Sequence, residues 1–156
     1  MTISGALHQY LNRAGIPYQV TLHERTHCAL QTARSVSISA DALAKGVLLR
    51  RANGYVLAIV PASRQVRLED VGSCLHEPVC LATETEVSEL FDDCETGSVP
   101  PIGEAYGVQA IVDERLEGLS DIYFEAGDHY SLVHIKGLDF DELTADILHA
   151  QISTHH

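Results

Sequence analysis

Two apolar runs, AKGVLLRR at residues 44–51 and YVLAIVPA at 55–62, meet at Ala52-Asn53-Gly54. An Asn-Gly pair between runs of β-forming side chains is the strongest short-range sign of a hairpin, because tight turns need residues that tolerate positive φ. Any fold open to this chain has to accommodate that antiparallel pair. Around it the pattern alternates between helical and extended. Ile3, Ala6, Leu7, Tyr10 and Leu11 recur at helical spacing ahead of Gly15, which predicts a helix over residues 2–14. PYQVTLH reads as a strand, residues 29–37 as a helix, RLEDVGSCL as a short helix and PVCLA as a strand. Thr83 and Glu86 stand at capping-box spacing and open a helix running to Phe91. QAIVDE, DIYFEAG and YSLVHIK are three further strands, and FDELTADILHA is expected as a closing helix, with His155-His156 as a loose end.

About six strands or more among helices, several of them in hairpin succession, give a mixed α/β (α+β) fold and not a doubly wound sheet. The 156 residues contain no linker and no repeat, so one domain over residues 1–156 is expected. The start, MTISGALHQYLNRAG, has no basic segment followed by a long apolar run, and no stretch approaches the roughly 20 apolar residues of a membrane span. A cytoplasmic protein with no membrane partner is the expectation. Cys28, Cys74, Cys80 and Cys94 form no C-x-x-C pair and read as free thiols. His23, His27 and Cys28, and likewise Cys74, His76 and Cys80, lack a second half at zinc-site spacing, so no metal is assigned.

The net charge of −12 argues against broad binding to DNA duplexes. Its distribution is uneven. Residues 1–68 hold eight of the ten bases and two acids, whereas residues 69–156 hold twenty acids. Folding either gathers those bases into a phosphate-attracting face, with Arg50 and Arg51 on it, or interleaves the two halves; the sequence leaves both open.

Three places can carry chemistry. In a strand of period two, Lys45 shares a face with Val47 and Leu49, and an ammonium there must reach water or an anion. Gly46, beside it, leaves room for a backbone or a ligand to come close. In GSVPPIG, residues 97–103, Pro100 and Pro101 stiffen Ser98-Val99 ahead of them, while Gly97 and Gly103 permit turns at either end. Gly127 and His129 lie between two expected strands, and His129 is a candidate acid–base group or ligand anchor. No G-x-S-x-G and no phosphate-binding glycine loop occurs.

Taken together, Lys45 heading AKGVLLR, the hairpin with GYVLAIVPA, GSVPPIG and FEAGDH before a strand resemble the YbaK/EbsC-like aminoacyl-tRNA deacylases, the free-standing or inserted editing domains of prolyl-tRNA synthetases. The likeness runs over roughly residues 3–148. It implies a curved, barrel-like mixed sheet with surrounding helices, and cofactor-free hydrolysis of the ester of a mischarged tRNA. It implies Lys45 as the functional lysine. Thr32, Gly46, Gly97, Ser98, Val99, Pro100, Pro101, Gly103, Gly127 and His129 would form the pocket for the aminoacyl group and 3′-adenosine. The implied partners are the acceptor end of a mischarged tRNA and a synthetase. Gly46 stands where threonine or asparagine is expected, and Ile102 where an aromatic is frequent, which leaves the amino acid open. The alternative is a non-catalytic, synthetase-associated module that binds tRNA or an amino-acid-like ligand in the same pocket.

Overall fold

The computed structural model describes residues 3–26, 28–95 and 97–155. The hairpin forms the centre of the largest sheet. Strand β2 (Ala44–Arg51) pairs antiparallel with β3 (Gly54–Pro61), Arg51 opposite Gly54, so the turn is Ala52-Asn53 and Gly54 takes the positive φ of 131°. To β3 are added β6 (Gln109–Asp113) and then β9 (Leu148–Ala150), both parallel, while β5 (Cys80–Leu81) pairs antiparallel with the far end of β2. A second sheet, β1 (Gln19–Leu22), β8 (Ser131–Lys136) and β7 (Asp121–Glu125), is antiparallel throughout. A two-stranded piece joins β4 (Arg64–Val66) to β10 (Ser153–His155). These pairings give three sheets and no closed barrel among the described residues. The mixed α/β character holds, and the barrel-like part of the expectation does not follow from them.

The faces of β2 and β3 separate as their period requires. Ala44, Leu48, Leu57 and Ile59 enter one core with Leu7 and Leu11 of α1 (Gly5–Ala14), Phe124 of β7 and Phe140 of α5 (Gly137–Leu143). Leu49, Val56, Ala58 and Val60 enter another, closed by Val71 of α3 (Leu68–Leu75) and by Ile152. Local chemistry sets the helix ends. Ser4 caps α1 through the Leu7 N–H, and Gly15 ends it at a φ of 70°. The capping box of Thr83 and Glu86 opens α4 (Glu84–Leu90).

The last fifteen residues depart from expectation. The closing helix stops at Leu143, where the Thr144 hydroxyl folds back on the Phe140 carbonyl at 3.0 Å. Leu148, expected on that helix, instead pairs with Ile111, and His155, expected to be loose, pairs with Arg64. His156 lies outside the described residues. What holds this tail is Asp113, 1% exposed, which accepts from the Ile152 N–H at 3.1 Å, the Ser153 hydroxyl at 2.6 Å and the Arg115 N–H at 2.8 Å. Pairing in a ladder satisfies backbone groups that a frayed helix end would leave open. Asp113→Ala should therefore cost about 1–3 kcal/mol in urea unfolding, because it takes the acceptor from three donors, the buried Ile152 N–H among them.

Candidate active site

Strand β2 has an incompletely covered outer edge. Near its start, Leu43 bridges to Tyr123 of β7 in parallel, and the Tyr123 N–H donates to the Ala42 carbonyl at 2.9 Å. Near its end, β5 covers Leu49 and Arg50, and the Ala82 N–H donates to the Leu48 carbonyl at 3.1 Å. Between the two lies a cleft of about 310 Å³, lined by Cys28, Leu30, Lys45, Gly46, Val99 and Glu125 among others. The alternation of the ladder gives Gly46 a role. Leu43 accepts from Ala62 on the β3 side and Leu48 accepts from Ala82 on the other. The main-chain groups of Gly46, two residues before Leu48, therefore face the opening.

Gly46 is also where the proline loop arrives. A side-chain carbon built there would stand 3.3 Å from the Pro100 carbonyl oxygen, 3.4 Å from Pro101 Cα and 3.1 Å from Leu57. The room that a glycine leaves is thus taken by the loop backbone. At one end of the loop, the Gly127 N–H donates to the Ser98 carbonyl at 2.9 Å, and the Glu95 N–H donates to the Gly127 carbonyl at 2.7 Å. Gly97, at a φ of 87°, faces the His129 ring; an added carbon there would lie 3.3 Å from His129 Cε1. The His129 N–H donates to Glu95 at 3.1 Å. At the other end, Gly103 leaves no space for a side chain, since the Val108 oxygen would be 2.4 Å from it.

The sequence-derived residues therefore divide into layers. Lys45, Gly46, Gly97 and Val99 line the cleft itself. Ser98, Gly127 and His129 sit behind the loop and hold it, while Pro100 rests on Gly46 and Gly103 closes the turn. Thr32, on α2 (Ala29–Ser35), is fully buried beneath the cleft. The loop has another side as well. Pro101 and Ile102 line a second cavity of about 280 Å³ with Tyr10, Phe140, Leu143 and Ile147.

Glu125 escaped the sequence reading. It lies two residues beyond Tyr123, as Lys45 lies two beyond Leu43, so the parallel bridge brings the pair side by side at the cleft. An acid ending the strand DIYFE was its only sequence sign, because register across separate strands is not written in either strand alone. Glu125 is 7% exposed and accepts from the Thr32 hydroxyl at 2.7 Å, with Thr26 behind it 2.5 Å from Thr32. Lys45 and Glu125 nevertheless form no ion pair within 4.0 Å, and no other acid pairs with Lys45 among the described residues. Burial lowers the Lys45 ammonium from its ordinary value, partly offset by Cys28. Burial likewise raises the Glu125 carboxyl, opposed by the Thr32 hydrogen bond.

Elsewhere the two charge halves meet, and Arg50 and Arg51 each face a carboxylate. Arg50 meets Glu86 at 3.4 Å, Arg51 meets Glu77 at 2.7 Å, and Arg25 meets Glu95 at 3.2 Å. Arg50 stands about 17 Å along β2 from Lys45 at strand rise. No cluster of three or more His, Cys, Asp or Glu suited to a metal ion occurs among the described residues; His27, of one considered cluster, lies outside them.

The aminoacyl-tRNA editing domain model matches residues 23–143, which span Lys45, the proline loop and His129. The chain belongs to the aminoacyl-tRNA editing domain family. Two solved structures carry the same fold as this editing domain. The hypothetical protein APE2540 superposes with a TM-score of 0.84 at 20% identity, covering 96% of this chain and 99% of the other. A proposed trans-editing enzyme for prolyl-tRNA synthetase superposes with a TM-score of 0.83 at 22% identity, covering 98% and 99%. No curated protein sequence matches this chain significantly. The YbaK-like resemblance is thereby shown for the family and for the fold.

The buried acid of this editing domain has a consequence for stability. Because the native carboxyl of Glu125 binds its proton at higher pH than the unfolded chain does, the native state loses stability as pH rises through that raised value. Glu125→Gln keeps an acceptor for Thr32 and has no charge to bury. It should melt above the wild type at pH 7 in thermal denaturation, and the gap should close as the pH falls towards 4.

Proposed function

We propose that this editing domain is a trans-editing deacylase that hydrolyses the ester between a wrongly attached amino acid and the 3′-terminal ribose of a tRNA. One observation carries the reading: in a chain of the editing family, Lys45, Gly97 and Val99 line a single cleft at the open edge of β2. The reaction adds water to the ester carbonyl carbon, breaks its bond to the ribose oxygen, and returns a proton to that oxygen. Free amino acid and uncharged tRNA leave.

The chain's own contribution is positioning and charge. An ammonium partly shielded from bulk water is suited to the terminal adenosine phosphate or to the carbonyl oxygen as it gains negative charge. The Gly46 N–H faces the same opening and supplies a second dipole. The neighbouring ribose hydroxyl moves the proton, so neither a metal nor a catalytic triad is required. Val99, held in place by the prolines behind it, limits the size of the amino-acid side chain. Fixed walls matter here, since a pocket separates substrates differing by one methylene by only about 1–3 kcal/mol.

The partners that fit are the acceptor end of a mischarged tRNA in the cytoplasm, and a synthetase whose errors it removes. The ion-paired arginines favour a small footing on the acceptor end over an extended grip on the tRNA body. Among the described residues, no helix is long and apolar enough to cross a membrane.

Screening alanyl-, seryl- and cysteinyl-charged tRNAs tests the reading directly. At least one should be deacylated, and Lys45→Ala should lower kcat/KM on it by about 100- to 1,000-fold with an unchanged circular dichroism spectrum. Turnover should persist in a metal chelator. Equal rates with and without enzyme on every charged tRNA would sink the proposal.

A further inference from the structure

An esterified amino acid carries an α-ammonium next to the carbonyl that is attacked. The cleft contains one anionic side chain placed to meet it. Glu125 lines the opening beside Lys45, and the two face one cavity without neutralising each other. One Glu125 oxygen accepts from Thr32 at 2.7 Å, which fixes the carboxyl in orientation, while the second accepts no hydrogen bond among the described residues. Thr32 is itself held by Thr26 at 2.5 Å, so the support extends into the protein. A side chain this buried, braced on one oxygen and open on the other, is built to receive a donor. The Lys45 cation in the same cleft repels an ammonium and so favours a ligand whose positive end turns away from it, towards Glu125.

We propose that Glu125 recognises the free α-ammonium of the aminoacyl group, so that the site takes unblocked aminoacyl esters and rejects those acylated on nitrogen. This rests on the deacylase reading above for the identity of the ligand. It goes beyond it by adding a specificity residue outside the lysine and the proline loop. Burial that raises the carboxyl supports the geometry, because a carboxylate kept from water gains most from a cationic partner.

Binding of stable analogues separates this inference from the catalytic reading. The probes are 3′-aminoacylamido-3′-deoxyadenosines carrying alanine, serine or cysteine, each with a free and with an acetylated α-amine, titrated by calorimetry at pH 7. For the amino acid that binds tightest, the free amine should bind about 10- to 100-fold more tightly than its acetylated form, the range for one charge-assisted hydrogen bond. Glu125→Gln should remove most of that preference by weakening the free-amine form alone. The wild-type comparison stands even if the variant does not fold. Equal wild-type affinities for both forms, equal weakening of both in Glu125→Gln, or no binding of any analogue overturns the inference. Preference without deacylation of any charged tRNA would uphold it while the hydrolytic reading fails.

Discussion

A single hydrogen atom at Gly46 lets the Pro100 carbonyl come down on strand β2, and the geometry of the cleft follows from that approach. A side-chain carbon there would stand 3.3 Å from that carbonyl oxygen, so strand or loop would have to give way slightly at this contact. The loop cannot respond by re-pairing its backbone, because two of its nitrogens are proline nitrogens with no proton to give. Its anchors include the Ser98 carbonyl on Gly127, the Ser98 N–H and hydroxyl on the Glu95 carbonyl, and the tight turn of Gly103 under Val108. Strand, loop and the β7–β8 turn are therefore one mechanical unit. Displacing any of the three moves the other two.

Against this arrangement, the treatment of charge is uneven in an informative way. Four arginines of the first half, Arg25, Arg50, Arg51 and Arg67, find carboxylates from the second. Lys45 and Glu125 stay apart although one parallel bridge sets them side by side. Two opposite charges that share a cleft without touching are costly to keep from water. Their persistence marks the place where the fold gives up stability, and that place coincides with the open edge of the central sheet.

Much of this was legible in residues taken in order. The Asn-Gly turn, the Thr83–Glu86 box and the Gly15 stop depend on neighbours a few positions apart, and each appears where local chemistry puts it. Lys45, Gly46, Gly97 and Val99 line the cleft, and it was the family resemblance, more than strand alternation or proline stiffness, that pointed to them as pocket residues. Glu125 was not, since its relation to Lys45 exists only through a bridge between strands eighty residues apart. The tail failed for a similar reason. Leu148 has helical company in sequence, but its stabilising partner is Ile111, and only the assembled sheet offers that partner. The uneven charge along the chain left two arrangements open, and contacts such as Arg51 with Glu77, which cross between the halves, exist only in the assembled fold.

The proline loop is a partition, with the cleft on one side and the cavity behind Pro101 and Ile102 on the other. Its position is therefore set jointly by what occupies both spaces. Substitutions at Phe140, Leu143 or Ile147 change the filling behind the partition without reaching anything bound in front of it. A lineage of such chains could retune which side chain it admits while every residue in contact with the bound molecule stays the same. Comparing only the residues of the cleft would then miss the change.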